Sequence, residues 1–453
     1  MSSTICALAT PAGGAIGIIR ISGPKAFSVM ENMLRSRKGA TFHYAPERKR
    51  FYGDLYSADG NLLDDVVVNF FKSPHSYTGE DCVEISCHGS SYILQQVLTA
   101  LIKCGCRQAE PGEYTKRAYL NGRMDLSQAE AVADLVSASN RASHRLALGQ
   151  LRGSVSNSLS RLREKLLKLK SLLELELDFS DHEELEFANR DELLSLAEEL
   201  RNNIQHLAAS FETGKAIKNG IAVAIVGKPN VGKSTLLNRL LKEDRAIVSE
   251  ISGTTRDVIE DTTQIHGLTF RFIDTAGLRS TNDEIEKMGI ERTYQKLNQA
   301  TIVIWLIDKE PSAEEAEDMS VRTAGKKCLK VYNKIDLIND VQKKPSSKSD
   351  EIFISAKYGT NVDELEERLY HAAAIPEITE NDVIVTNARH YDALLHAQSA
   401  IEDVITGLHN GLSADLLSED LKICLEYLSE ITGDAITPKE VLNNIFSHFC
   451  IGK

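Results

Sequence analysis

Residues 227–234 read Gly-Lys-Pro-Asn-Val-Gly-Lys-Ser, the G-x-x-x-x-G-K-[ST] spacing of a loop that wraps a phosphate. Its glycines let backbone N–H groups close round an anion, and a helix leaving the loop adds the positive end of its dipole. In that chemistry Lys233 reaches the β- and γ-phosphates and the Ser234 hydroxyl ligates Mg²⁺, with Asn230, Val231, Gly232 and Thr235 completing the cradle. Three more motifs follow in the order a guanine nucleotide site needs. Asp274-Thr275-Ala276-Gly277 fits D-x-x-G, in which the Asp holds Mg²⁺ through water and the Gly N–H meets the γ-phosphate. Asn333-Lys334-Ile335-Asp336 fits N-K-x-D. A carboxylate at Asp336 accepts from both guanine N1–H and N2–H₂, a pair adenine does not offer. Ser355-Ala356-Lys357 stands where a base-contacting S-A-K element belongs. One such match is weak; four in order are specific.

Each motif has a predicted strand before it. Apolar runs at Ile221–Val226, Thr269–Ile273, Leu329–Tyr332 and Glu351–Ile354 precede the four motifs, and a helical pattern over Ser234–Leu241 leaves the first. Strands alternating with helices predict a mainly parallel sheet.

With 453 residues, 42% of them hydrophobic, the chain has room for about three packed domains. Apolar runs fall short of the ~20 residues that span a bilayer, so no membrane association is expected. Met1–Thr10 lacks a basic stretch before an apolar core, which makes a cytoplasmic location the expectation. The eight cysteines form no regular framework, and Cys104-Gly105-Cys106 reads as ordinary thiols rather than zinc ligands. A net charge of −13 argues against broad nucleic-acid binding, yet leaves room for a local basic patch. Arg48-Lys49-Arg50 and the basic side of Arg161–Lys170 are read as solvated faces.

Texture divides the chain into four stretches. Residues 1–120 carry short strand-like runs at Gly17–Ile21, Asp65–Phe71 and Asp81–Ser86, with helical patterns at Lys25–Leu34 and Ser91–Ile102, an α+β domain. Residues 121–215 read as helix, with Leu162, Leu166, Leu169, Leu173 and Leu177 on one face. Residues 216–375 hold the nucleotide motifs, and 376–453 return to helix at Ala388–Leu408, Ala414–Ile431 and Pro438–Phe449. The expected fold class is therefore multidomain α/β, with a P-loop domain inserted into a helical one.

Gly253-Thr254-Thr255-Arg256-Asp257 lies between the P-loop and Asp274, where a threonine is expected to ligate Mg²⁺ when the γ-phosphate is bound. Leu278 follows the D-x-x-G motif, where a water-orienting Gln stands in Ras-type enzymes. Leucine cannot orient water. Asp283, Glu284, Glu286, Arg256, Arg279, or a cation held by Asn230 are the alternatives.

These features, together with the final Cys450-Ile451-Gly452-Lys453, resemble the MnmE (TrmE) family of bacterial and organellar tRNA-modification GTPases. The resemblance runs through Ala9–Gly14, Arg20–Gly23, Tyr77-Thr78-Gly79-Glu80-Asp81, Pro111-Gly112-Glu113 and Leu126-Ser127-Gln128-Ala129-Glu130. Era-like ribosome-assembly GTPases share the nucleotide motifs but lack these flanks.

The resemblance implies a folate-binding-like N-terminal domain that forms a homodimer and takes 5,10-methylenetetrahydrofolate or 5-formyltetrahydrofolate. Arg20, Glu84, Arg123 and Lys453 match its folate contacts, with Arg123 standing where some relatives have Lys. It implies K⁺-stimulated GTP hydrolysis, with K⁺ held by Asn230, Thr254 and the backbone oxygens of Ser249 and Ile251, and Mg²⁺ by Ser234 and Thr255. Glu286 matches the acid that orients attacking water; the alternative is a solvated helix acid. Cys450 is either a thiol for one-carbon chemistry or a small side chain packing the tail. The implied partners are tRNA and MnmG (GidA), an FAD- and NADH-dependent flavoprotein, in a heterotetramer. Together they install an aminomethyl-type (carboxymethylaminomethyl) group on carbon 5 of the wobble uridine. The competing expectation is a regulatory or ribosome-assembly GTPase.

Overall fold

A computed structural model describes residues 3–37, 40–45, 49–178, 190–241, 261–273, 297–337, 351–379, 382–434, 438–447 and 449–452. They form two compact units, one of residues 1–137, 147–206 and 392–453, the other of 138–146 and 207–391.

The first unit opens with β1 (Ile5–Leu8), β2 (Ile16–Ser22), α1 (Ala26–Met33), β3 (Leu34–Arg35), β4 (Arg50–Tyr56), β5 (Leu62–Phe71), β6 (Cys82–His88), α2 (Ser91–Lys103) and β7 (Arg107–Gln108). The strands make one sheet in the order β3-β4-β5-β6-β2-β1-β7, antiparallel except for β1 against β7. Alternation along β2 sends Ile19 and Ile21 into a core shared with Val83 and Ile85 of β6, Met30 and Met33 of α1, and Val97 and Leu101 of α2. Arg20 must then project from the opposite face. Register places it directly across from Glu84.

Helices α3 (Glu113–Leu120), α4 (Leu126–Ser137) and α6 (Ser154–Asp178) follow in this unit, while α5 (Arg141–Leu151) and α7 (Arg190–Asn219) carry residues of both units. Leu162, Leu166, Leu169 and Leu173 of α6 are buried, as their helical spacing requires. Later in the chain, α12 (Ala414–Thr432) packs against α6, burying Leu417, Leu421, Cys424 and Leu428. A separate cluster joins Leu126 and Ala129 of α4 to Leu442 and Phe446 of α13 (Lys439–Ser447), and to Phe449. That packing brings the chain's last residues back to its first strands.

The second unit holds β8 (Ile221–Val226), α8 (Lys233–Leu241), β9 (Asp261–Ile265), β10 (Leu268–Phe272), β11 (Ile302–Ile307), α9 (Ala313–Arg322), β12 (Lys327–Tyr332), β13 (Glu351–Phe353) and α10 (Val362–Ala372). The order is β13-β12-β11-β8-β10-β9, parallel throughout except for the β9–β10 hairpin. Both β8 and β11 are near-continuous apolar runs, buried on two faces as central parallel strands are. Residues 138–146 belong here too: Ala142 and Leu146 join this core, and Asn140 Nδ2 donates to Thr269 Oγ1 at 2.8 Å. The remaining helix, α11 (Ala388–His409), carries residues of both units.

The predicted strands and helices named above each find an element, with ends shifted by a few residues. Strands β1, β3, β4, β7 and β11 are additions that the sequence reading did not make.

Candidate functional site

The P-loop turns from the carboxyl end of central strand β8 into α8, at the edge where open α/β sheets bind ligands. A Cβ on Gly227 would collide with the Leu306 carbonyl oxygen, and one on Gly232 (φ 101°) with the Asn333 side-chain amide. Both glycines are therefore required by close approach as well as by conformation. Asn230 holds a left-handed backbone (φ 64°), which Asn tolerates better than most residues. Val231 is buried, Ser234 half-buried in the first turn of α8, and Thr235 exposed. Lys233 Nζ donates to the carbonyls of Gly227 at 2.7 Å and Lys228 at 2.8 Å, which holds its charge over the loop.

Two motifs far apart in sequence lock onto that loop. Asn333 is buried; its Nδ2 donates to Val231 O at 2.8 Å, and its Oδ1 accepts from the Ala356 N–H at 2.9 Å. One side chain thus ties the P-loop to Ser355–Lys357. Asp336 sits on a 3₁₀ turn, Ile335–Leu337, exposed, with Oδ1 accepting from Ser355 Oγ at 2.6 Å. That bond fixes the direction of the carboxylate. Lys334 (φ 65°) extends its ammonium to Asp308 Oδ2 at 3.0 Å, and that hydrogen bond holds the Asp308 carboxyl below its ordinary range. Asp308 closes β11 and was not foreseen; it sits outside every motif. The structure therefore brings together Asn230–Thr235, Asn333, Lys334, Asp336 and Ser355–Lys357. Ser249, Ile251, Thr254, Thr255, Asp274, Gly277 and Glu286 lie outside the described residues. So do Arg256, Leu278, Arg279, Asp283 and Glu284.

In the first unit Arg20 and Glu84 meet as their cross-strand register requires. Arg20 Nε and Nη2 both donate to Glu84 Oε1, at 3.0 and 2.8 Å. Arg20 Nη1 donates to Gly452 O at 3.4 Å, a contact across nearly the whole chain. A Cβ on Gly452 would strike the Leu8 carbonyl oxygen, so only glycine lets the tail lie this close to β1. The rings of Tyr77 and Tyr114 lie 5.5 and 5.7 Å from the Arg20 guanidinium. Tyr114 Oη donates to Arg20 O at 2.7 Å. Neither tyrosine was anticipated in a role, although Tyr77 opens one of the quoted stretches. Arg123 is exposed and lies against Gly79; Lys453 is outside the described residues. The Cys450 side chain is exposed while its carbonyl accepts from the Gly112 N–H at 3.4 Å. Exposure of the thiol disfavours its reading as a packing group.

An ion network centred on the buried Arg117 and Glu113 braces this region. Arg117 Nη1 donates to Glu80 Oε2 at 2.9 Å, and Arg117 Nη2 to Glu113 Oε1 at 2.9 Å. Arg107 donates to both Glu113 oxygens, at 3.0 and 2.5 Å. Burial pushes the Glu113 carboxyl up, but Arg107, the Glu110 N–H and Arg117 outweigh it and hold the group below its ordinary range.

Two family models match the chain. Residues 4–123 match "GTP-binding protein TrmE N-terminus" and residues 126–450 match "MnmE helical domain". A tRNA modification GTPase MnmE of Bacteroides fragilis is 53% identical, over 99% of each chain. The MnmE of Cytophaga hutchinsonii is 48% identical over 100% of this chain and 98% of its own. That of Flavobacterium johnsoniae is 48% identical over 99% of both. Among solved structures, a GTP-binding protein of Sulfolobus solfataricus in complex with GDP aligns with 47% of this chain and 67% of its own, at 18% identity and a TM-score of 0.25. Among the described residues no helix is long and apolar enough to cross a membrane. With two family models spanning nearly its whole length and relatives identical at half of their positions, the chain belongs to the MnmE (TrmE) family of tRNA modification GTPases.

Proposed function

We propose that the protein hydrolyses GTP and uses that cycle, with an FAD- and NADH-dependent MnmG-type partner, to install a carboxymethylaminomethyl-type group on carbon 5 of the tRNA wobble uridine. The observation that carries the nucleotide half is the Asn333 clip. It holds the P-loop and the base-contacting loop at one place, with the Asp336 carboxylate beside them. In this reading the N–H groups of residues 230–235 cradle the phosphates, and the Lys233 ammonium leaves the loop carbonyls for the β- and γ-phosphates. Asp336 accepts from the guanine edge and rejects adenine, which would leave the carboxylate desolvated and unpaired. Glu286 is assigned to orienting the attacking water.

All assigned ion donors are oxygens, as hard cations require. Ser234 and Thr255 are the proposed Mg²⁺ ligands, with Asp274 acting through water. Asn230, Thr254 and the backbone of Ser249 and Ile251 are proposed for K⁺. Such cations supply positive charge where negative charge grows during phosphoryl transfer.

The one-carbon half rests on Arg20, Glu84, Arg123 and Lys453. A pterin offers donors to the Glu84 carboxylate, and a glutamate tail offers carboxylates to arginine or lysine. Tyr77, partly exposed, adds a face against which a flat ring can stack, while the buried Tyr114 packs beneath Arg20. Cys450 is proposed as a nucleophilic thiol beside that site. The same reading takes the protein as a cytoplasmic homodimer, divided at 1–120, 121–215, 216–375 and 376–453.

Mass spectrometry of tRNA nucleosides from cells lacking this chain tests the proposal. Loss of carbon-5 aminomethyl-type uridines, restored by the intact gene, is the expected result. Unchanged nucleosides in cells with no second copy would leave an assembly GTPase as the better account.

A further inference from the structure

The base-contacting loop is held by a residue that lies in none of the nucleotide motifs. Arg239 stands on α8, the helix that begins with Lys233 and Ser234. Its guanidinium reaches across to residues 356–359. Nη2 donates to Lys357 O at 2.8 Å and Nε donates to Ala356 O at 3.4 Å. Its planar head also lies against Gly359 (φ 80°), where a Cβ would sit 3.4 Å from Cζ. Gly359 in turn donates its N–H to Ser355 O at 2.8 Å.

Ser355–Lys357 is thus gripped from three sides. Asn333 takes the Ala356 N–H, Asp336 takes the Ser355 hydroxyl, and Arg239 takes the next two carbonyls. The first two grips come from the N-K-x-D element itself. The third comes from the phosphate-binding helix, so the helix that starts at the phosphates ends by holding the base loop. Carbonyls of Ala356 and Lys357 point at the guanidinium, which fixes the peptide planes between them and so the direction of the intervening N–H groups. A lysine has one compact head in place of a fork and cannot hold two successive carbonyls with the same geometry.

We propose that Arg239 is a positioning residue for guanine selectivity, setting the Ser355–Lys357 loop against the base; the assignment rests on the nucleotide reading above. Arg239 touches no part of the nucleotide in this reading and acts through the loop.

The test uses the full-length chain and its Arg239→Ala and Arg239→Lys variants. Dissociation constants for GDP and ADP come from competition against a fluorescent GDP analogue, KM and kcat from phosphate release with GTP, and folding from thermal melts. Loss of two charge-assisted hydrogen bonds is expected to weaken GDP binding about tenfold in Arg239→Ala. ADP binding should change less, so the guanine-over-adenine ratio narrows. KM should rise by more than kcat falls, and Arg239→Lys should recover part of the loss. An unchanged GDP constant and unchanged ratio in a folded Arg239→Ala overturns the proposal. A lowered melting temperature with an unchanged ratio also overturns it, because Arg239 is then only a brace. Should Arg239→Ala fail to fold, the ratio measured for Arg239→Lys decides by the same criteria. If the unaltered protein does not prefer GDP to ADP, the nucleotide reading fails and the assignment falls with it.

Discussion

The nucleotide site of the second unit and the Arg20 site of the first are assembled in opposite ways. Around the P-loop, most contributing residues belong to short motifs at strand ends, Asp308 and Arg239 being the exceptions. The parallel sheet brings β8, β11 and β12 side by side, so their carboxyl ends converge without help from side chains. Around Arg20 the partners are single residues: Glu84 on a neighbouring strand, Tyr77 in a loop, Tyr114 on a helix and Gly452 in the tail. Nothing local in sequence joins them. What joins them is cross-strand register, a glycine small enough to lie on β1, and the Arg107–Glu113–Arg117–Glu80 network. A site made of motifs can be read one motif at a time. A site made of single residues exists only once the fold is complete.

The contrast can be broken most sharply at Lys233. With Lys233 assigned to the β- and γ-phosphates, Lys233→Ala is expected to cut GTP turnover by roughly 10³-fold. Phosphate release measures it, and a loss of only a few-fold would show that the loop does not act as assigned. Asp336→Asn comes next. Losing the carboxylate should weaken GTP binding about 10²-fold and relieve discrimination against xanthine nucleotides, read by competition binding.

The Arg20 site sharpens the comparison from its other side. Arg20→Ala removes a partner of Glu84 and of the tail at once, so binding of 5-formyltetrahydrofolate should fall about tenfold by calorimetry. Unaltered binding would detach the tail from the one-carbon site. The smallest effect expected is a pH dependence. Glu113 has a folded pKa below its unfolded one, so its stabilisation is complete above the ordinary value of 4.5 and is lost as pH falls through the depressed folded value. Acid unfolding followed by circular dichroism should therefore show a shallower decline with pH in Glu113→Gln than in the unaltered chain. An equal slope in both would mean that the network contributes no pH-linked stability.

Legibility followed element length and locality. The long leucine face of α6 and the apolar run of β8 declare themselves within one window. Strands β3 and β7 are two residues each, too short to have a period, and β1 has four. In β4, Gly53 and Asp54 interrupt the apolar alternation, which the pairing with β5 nevertheless supports. These strands exist because neighbours offer hydrogen bonds, not because their own residues demand an extended backbone. Residues 138–146 show the same limit. Their helical composition gives no sign that Ala142 and Leu146 belong to the core of the nucleotide-bearing unit.

Residue order alone was enough for the P-loop, the N-K-x-D motif, the parallel sheet and the family. Each depends on residues within a few positions of one another or on a period repeated along one element. Tertiary structure decided the rest: that Asn333 clips the P-loop to Ala356, that Arg239 spans from the phosphate helix to the base loop, and that Gly452 comes to rest beside Arg20. Those contacts join residues 23 positions apart (Asn333 and Ala356), about a hundred apart (Asn333 and Val231, Arg239 and Lys357) and 432 apart (Arg20 and Gly452). Their existence depends on register, packing volume and loop closure, which are properties of the folded whole and not of any window of sequence.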